Sequence, residues 1–291
     1  RVYHGTVVLK NVAMESDLLR LEQITGTIPL AGRIGQASGP ARTLAMEQIG
    51  SGALSEEAYE KARRRILQEA AQKQDRHSLT VALLHYGPIE LRDLTTSLAP
   101  DTNGIAIRHF AFQLWGAKVG GWGAVFPLSR EVTLDLLVEG LSLQAICDAF
   151  PPIKGYISGK VNGLAHLSIR DYALDKAHGG ARFWAVNSPQ ERREISRILI
   201  EKLAGQRIRY FNLFGQDRRY DRGVLDVSLK RGDLIFHELD ISHTTLGIKD
   251  LDIKVSAAFN RIGVSHLTES IIEATERIKA SAKPSHEQSV R

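Results

Sequence analysis

Residues 155–169 read GYISGKVNGLAHLSI, and the parity of that stretch decides the fold. Alternate residues of a strand share a face, so Gly155, Ile157, Gly159, Val161, Gly163, Ala165, Leu167 and Ile169 point one way. Tyr156, Ser158, Lys160, Asn162, His166 and Ser168 point the other way. Glycine packs nothing and loses the most conformational freedom in a strand, yet it recurs every fourth residue on the apolar side. Those gaps either ease a bend or leave space above the sheet.

The neighbouring sequence has the same texture. VYHGTVVLK, LLRLEQITGTIPL, SLTVALLHYG, IAIRHFAFQLWGA, EVTLDLLVEGL, RIRYFNLFG, GVLDVSLKRG, DLIFHELDIS and LDIKVSAAF each alternate or are rich in β-branched and aromatic residues. Turn chemistry separates them at Asp101-Thr-Asn-Gly104, Gly120-Gly121, Gly179-Gly180, Arg222-Gly223 and Arg231-Gly232-Asp233. Sequential strands with short connections imply antiparallel neighbours. Read as one strand, 155–169 would extend on the order of 50 Å at about 3.3 Å per residue, which favours an elongated sheet over a compact sandwich.

Helices interrupt the meander. Ser55 followed by Glu56 and Glu57 starts one over about 55–74, with Tyr59, Ala62, Ile66, Leu67 and Ala70 on one side. Ser142 caps a short one over 142–150, stopped by Pro151-Pro152. Ser188-Pro189-Gln190-Glu191 reads as a capping box with proline at the first helical position, predicting a helix over 188–204. A fourth stripe, Leu267, Ile271, Ile272, Thr275 and Ile278, predicts an amphipathic helix over 265–281, followed by a disordered tail over 282–291. Each stripe needs a surface, and the apolar face of the sheet is the natural one. Residues 31–54 are rich in glycine and small residues and read as a mobile loop.

The expected architecture is therefore mainly β with inserted helices, an α+β chain. A long curved antiparallel β-sheet forms a groove whose apolar face is covered by amphipathic helices. One elongated domain spans 1–264, with a sub-boundary near 115–130.

Composition agrees. The 291 residues are 43% hydrophobic and 24% charged, enough for a sizeable core. No run reaches the roughly 18 apolar residues of a membrane span. The chain begins at Arg1 directly in strand-like sequence, the expectation for a piece of a longer protein. A net charge of +5 and a pI near 9.3 allow contact with anionic lipid or nucleic acid without requiring either. The single cysteine, Cys147, sits in an apolar run and reads as a buried hydrophobe.

Searching for chemistry finds none. HELDISH, 237–243, resembles a zinc-protease motif, but its histidines are six apart instead of four and the segment alternates as a strand. No phosphate loop, dinucleotide fingerprint or nucleophile elbow is present. Catalytic residues, metal ligands and cofactors are all expected to be none. Residues 207–223 mix Arg207, Arg209, Arg218, Arg219 and Arg222 with Tyr210, Phe211, Phe214 and Tyr220. Basic and aromatic residues together can bind single-stranded nucleic acid, but an exposed arginine face with aromatics on the core side is the preferred reading.

GGWGAVFPLSREVTLDLLVEGLSLQAICDAF, then IKGYISGKVNGLAHLSI, then LKRGDLIFHELDISHTTLGIKDLDIKVSAAFNRIGVSHL, resembles the C-terminal region of AsmA-like proteins, especially their YdbH-like relatives. The resemblance covers about residues 120–270. It implies a repeating β-groove, polar outside and apolar inside, and a part in phospholipid movement toward the outer membrane. It also implies a periplasmic location, tethered to the inner membrane through a segment outside this chain.

On that reading the ligand is phospholipid. The lining comes from Val132, Leu134, Leu136 and Val138, from Ile157, Gly159, Val161, Gly163, Leu167 and Ile169, and from Leu225, Val227, Leu229, Leu251, Ile253 and Val255. A structural or assembly module of the cell envelope is the alternative, with helices filling the groove and protein partners on sheet edges. A nucleic-acid binder is the second alternative.

Overall fold

Tight hairpins organise the chain. Trp115-Gly116, Arg231-Gly232 and Leu246-Gly247 each place two consecutive residues in the left-handed region, with φ of 47° and 77°, 53° and 77°, and 51° and 81°. Two such residues make the hairpin loop whose twist matches the strands it joins. The structure is a computed structural model and describes residues 2–16, 19–33, 55–71, 77–86, 89–101, 104–188, 190–203, 207–210, 217–256 and 261–263.

The strands run β1 (Val2–Glu15), β2 (Leu19–Arg33), β3 (His77–Tyr86), β4 (Ile89–Asp101), β5 (Gly104–Leu114), β6 (Ala117–Phe126), β7 (Glu131–Ser142), β8 (Lys160–Arg170) and β9 (His178–Ala185). They continue as β10 (Glu194–Ile195), β11 (Arg207–Tyr210), β12 (Arg218–Arg219), β13 (Arg222–Lys230), β14 (Asp233–Thr245), β15 (Ile248–Ser256) and β16 (Arg261–Gly263). Helices α1 (Glu56–Ala71), α2 (Leu143–Ala149) and α3 (Arg197–Leu203) are the insertions. Fourteen of the strands form one antiparallel sheet, sequential from β1 to β9, then β13, β14 and β15, with β11 on the far edge and β16 paired to β14. The order does not close on itself, so the long open antiparallel sheet that the alternation predicts is what the chain forms. β5 pairs β6 directly across residues 115–116, so the ladder runs unbroken through the region around 115–130.

Between β9 and β13 the chain leaves the sheet. This strap, residues 186–221, carries β10, α3 and β12, and lends β11 to β15. β10 and β12 pair with each other as a separate two-stranded sheet.

Ladder partners stand on one face, so the registers define both faces. The row Val119, Val138, Gly163, Phe183, Leu225, Leu239 lies on the apolar face. The row Leu137, Leu164, Arg182, Asp226, Glu238 lies on the mixed face.

Several expectations change. GYISGKVNGLAHLSI is not one strand. β8 begins at Lys160, while Gly155 and Gly159 hold φ of 73° and 114°, a region open to glycine and strained for other residues. The 188–204 helix begins at Arg197. Ser188 forms only a turn, accepting from the Glu191 backbone (3.1 Å), and the cap is Ser196, whose Oγ accepts from the Leu199 backbone (3.2 Å). Burying Ile195 fully and pairing β10 with β12 outweigh the capping box at Ser188.

Gly120-Gly121 and Gly179-Gly180 are not turns but lie inside β6 and β9. β4, β6 and β9 add strands that alternation alone does not reveal. The helices over 55–74 and 142–150 form as α1 and α2, with Ser55 Oγ accepting from Ala58 N (3.2 Å) and Ser142 Oγ from Ala145 N (3.1 Å). The expected helix over 265–281, the tail over 282–291 and the loop beyond Arg33 lie outside the described residues.

The largest correction concerns which face the helices cover. α1 packs on the mixed face: Tyr59 and Ala62 are buried with Trp122, Leu137 and Leu164, joined by Ile66 and Trp184. The Tyr59 and Trp184 rings meet edge to face at 5.2 Å, and the Arg65 guanidinium lies 5.0 Å over Trp122. Four large apolar residues sit at polar-parity positions there, and they draw α1 to that side.

Candidate functional site

With α1 on the mixed face, the described residues cover the apolar face at one end only. There the strap lies on β9 and β13–β15, and Ile195, Ile200 and Tyr220 form a buried cluster with Ile241, Leu251 and Ile253. Ile195 and Ile253 have no exposed surface and Leu251 has 1%. Ile157, outside β8, bridges to Ile195 and packs against this cluster. The Tyr220 hydroxyl donates to the Ser158 carbonyl at 2.7 Å, and burial pushes the phenol up to about 12.

Two glycine gaps are thereby occupied. A Cβ on Gly159 would stand 2.6 Å from the Tyr220 hydroxyl, and one on Gly163 would stand 2.2 Å from the Phe183 ring. Their occupants are the chain's own aromatics.

Among the described residues, the face is open away from the strap. The ladders align Leu136, Ala165, Ala181 and Val227, then Leu134, Leu167, Gly179 and Leu229, then Val132 and Ile169. Leu134, Leu136, Ala165, Leu167, Ile169, Ala181, Leu225 and Leu229 are half-buried, while Val138, Val161 and Val227 are buried. Val138 packs with Ala117 and Val119, beside Phe112, Leu136 and Phe183. Val255 stands opposite Leu239 in the ladder.

Side-chain size gives this face relief. Ala165 and Ala181 lie between Leu136 on β7 and Val227 on β13, and in the next row Gly179 lies between Leu167 on β8 and Leu229 on β13. At about 4.8 Å per strand, the result is a trough roughly 10 Å wide in the alanine row that narrows beside Leu167. Phe183 stands at its strap end, and the Val132–Ile169 row marks its far end. No ionisable residue stands at the ladder-paired positions of this face from β6 to β13.

The charges lie on the other side. Arg182 bridges Asp226 (2.9 Å) and Glu238 (3.1 Å) on the mixed face. Asp135, 1% exposed, meets His166 Nδ1 at 2.5 Å. Burial first, then the Glu139 carboxylate, push the Tyr59 phenol up to about 12.

The other sequence candidates are placed as follows. His237 and His243 of HELDISH lie on β14, bonded to Ser228 Oγ (2.7 Å) and Asp250 Oδ1 (2.6 Å) respectively. In the basic and aromatic segment Tyr220 is interior, whereas Phe211 and Phe214 lie outside the described residues. Cys147 is buried, and burial raises its thiol pKa. Sequence reasoning missed Ala181 and Gly179, which sit in β9. A strand pattern read through the glycine pair, with Phe183 and Ala185 continuing its parity, would have found them.

No helix among the described residues is long and apolar enough to cross a membrane. Compared with protein-family models, curated sequences and solved structures, the chain matches none.

Proposed function

We propose that the chain is a non-enzymatic lipid-binding and transfer module that holds phospholipid acyl chains along the trough of its apolar face. The observation that carries this reading is the trough itself: small residues between leucine and valine side chains, half-buried, free of charge, and uncovered among the described residues while α1 packs on the other face. Each methylene moved from water onto such a surface contributes about 0.8 kcal/mol, so a few carbons of acyl chain suffice for occupancy. Holding lipid needs no proton transfer, which fits a trough without ionisable groups at its ladder-paired positions. On the AsmA-like resemblance, the place of work is the periplasm, between the inner and outer membranes.

Native mass spectrometry of the purified protein and solvent extraction of its lipids test the proposal. Phospholipid present at near one equivalent is expected, and its loss in Ala181→Phe, which fills the trough, ties it to this face. Protein free of lipid even after incubation with phospholipid would overturn the reading.

A second reading, a structural or assembly module of the envelope, is favoured by the strap-covered cluster, which already fills one end. It predicts no extractable lipid and a protein partner at an edge strand such as β1, where Val8 and Met14 are 58% and 56% exposed.

A further inference from the structure

Phe183 stands where the trough meets the strap, and a glycine decides where its ring lies. Its ladder partner on β8 is Gly163. A Cβ at that position would stand 2.2 Å from the ring, so only glycine lets the ring lie across β8. The ring thereby packs against the cluster of Val138 on β7 with Ala117 and Val119 on β6. It forms a crossbar from β9 to β7, seated on buried neighbours.

The floor continues behind the bar. Ala185, the next residue of that face on β9, stands opposite Val161 and packs against the cluster under the strap. In the other direction Ala181 and Gly179 follow, out to the level of the Val132–Ile169 row. Phe183 therefore decides how much of the floor is available. From its row to the Ile169 row is six residues of strand, or about 20 Å at about 3.3 Å per residue.

The dimensions select the occupant. A helix with its side chains is about 10–12 Å across, more than the trough offers beside Leu167. A strand finds no place either, because β7, β8, β9 and β13 are each paired on both sides, and a peptide laid over them would leave its backbone groups unbonded. An unbranched hydrocarbon has neither requirement.

We infer that Phe183 is the length stop of the trough, halting the methyl end of an acyl chain of about 16 carbons. That is the number that fits in about 20 Å when bonds of about 1.5 Å zigzag to about 1.3 Å per carbon. The polar headgroup then lies at the Val132–Ile169 end, because Ile195 and Ile253 behind the stop have no exposed surface. This length stop presupposes the trough reading and adds which chains the trough takes.

The test is a series of dissociation constants for the delipidated 291-residue chain with saturated fatty acids from octanoate to eicosanoate, read by displacement of a fluorescent fatty acid. Each added methylene is expected to tighten binding about two- to fourfold up to palmitate, with no gain from palmitate to eicosanoate. Ala181→Phe moves the stop one row, about five carbons, toward the open end, so the gain is expected to end near undecanoate. Phe183→Ala moves it the other way, to Ala185, and eicosanoate is then expected to bind at least about tenfold tighter than palmitate. Phe183→Leu keeps an aliphatic contact with Val138 and is expected to shift the break by fewer carbons in the same direction, which covers an alanine variant that fails to fold. If no fatty acid binds at any length, the trough reading and the length stop fall together. If wild-type affinity climbs past palmitate without a break, or the break stays at one length in Ala181→Phe and the folded Phe183 variants, the length stop alone is overturned.

Discussion

One face of one sheet has two fates in this molecule. Under the strap, Ile253, Leu251 and Ile241 of β14–β15 are almost wholly buried against Ile195, Ile200 and Tyr220. A few ladder rungs away, Leu134, Leu136, Leu167 and Leu229 stand half-buried with nothing described above them. Composition does not separate the two regions, since both present alternating aliphatic residues. The difference is topological: among the described residues, the connection that crosses the apolar face is the excursion between β9 and β13, and α1 is held on the opposite side by Trp122, Leu137, Leu164 and Trp184. Covered residues contribute to stability, whereas uncovered ones remain available to a ligand.

Truncation should separate the regions most strongly. Ile253→Ala leaves a cavity among fully buried neighbours and is expected to lower unfolding free energy by about 3 kcal/mol in urea titrations. Leu134→Ala, half-buried, is expected to cost about 1 kcal/mol or less. Equal losses at the two positions would mean that the trough is packed core and would end the comparison.

The glycine gaps give the next effect. Adding a methyl at Gly163 puts a Cβ 2.2 Å from the Phe183 ring and 2.7 Å from the Arg182 carbonyl. Gly163→Ala is expected to destabilise by about 1–3 kcal/mol, with partial rescue by Phe183→Leu, which takes away the ring but not the carbonyl. Gly163 therefore reports on packing and cannot distinguish a lipid from a filled core. Ala165 and Ala181 can. Ala165→Leu is expected to change stability by under about 1 kcal/mol while lowering bound lipid, measured by extraction. A large stability loss there would place the site in the core.

How much of this was legible in the sequence depends on which signals were local. The alternation that groups Val132, Leu134, Leu136 and Val138 survives into the ladders because register follows parity. The caps at Ser55 and Ser142 work because they act within one turn. Ser188 has an equally good local signal and fails, because Ile195 is drawn into a cluster assembled from β14 and β15, tens of residues away. The same holds for the side chosen by α1: Leu137, Leu164, Trp122 and Trp184 come together only when four strands pair, and no single strand shows the patch they make. Gly120-Gly121 and Gly179-Gly180 mislead in the other direction. Their missing side chains admit close neighbours, such as Phe110, 2.7 Å from a Cβ placed on Gly121, which a reading for turns does not anticipate.

Removing one hydroxyl probes the seam between strap and sheet. Tyr220→Phe keeps the ring that fills the space over Gly159 and loses the bond to the Ser158 carbonyl, so a loss of about 1 kcal/mol is expected. Tyr220→Ala, which also empties the cluster, is expected to cost about 3–5 kcal/mol. If the two variants were equally destabilised, the hydrogen bond and not the packing would hold the strap down.

The smallest expected effect comes from pH at the hairpin beside the strap. Burial tends to raise the Asp250 carboxyl, but hydrogen bonding from His243, the His243 charge and the Thr245 hydroxyl outweigh it and leave the pKa below its ordinary value. A carboxyl depressed in the folded state stabilises the fold above its unfolded pKa of about 3.9 and loses that contribution as pH falls through the folded pKa. Asp250→Asn is therefore expected to flatten the acid limb of stability against pH below about 4, with little change in the shape of the curve at neutral pH. The hairpin lies next to the strap through Asp221, which accepts from Thr244 N and lies 3.7 Å from His243 Nε2. The strap-covered end should accordingly loosen in acid before the trough does. Hydrogen exchange at low pH checks this, with earlier deprotection of β14–β15 amides near His243 than of β7–β8 amides near Leu134. The opposite order would show that the covered end is not the one tied down by these charges.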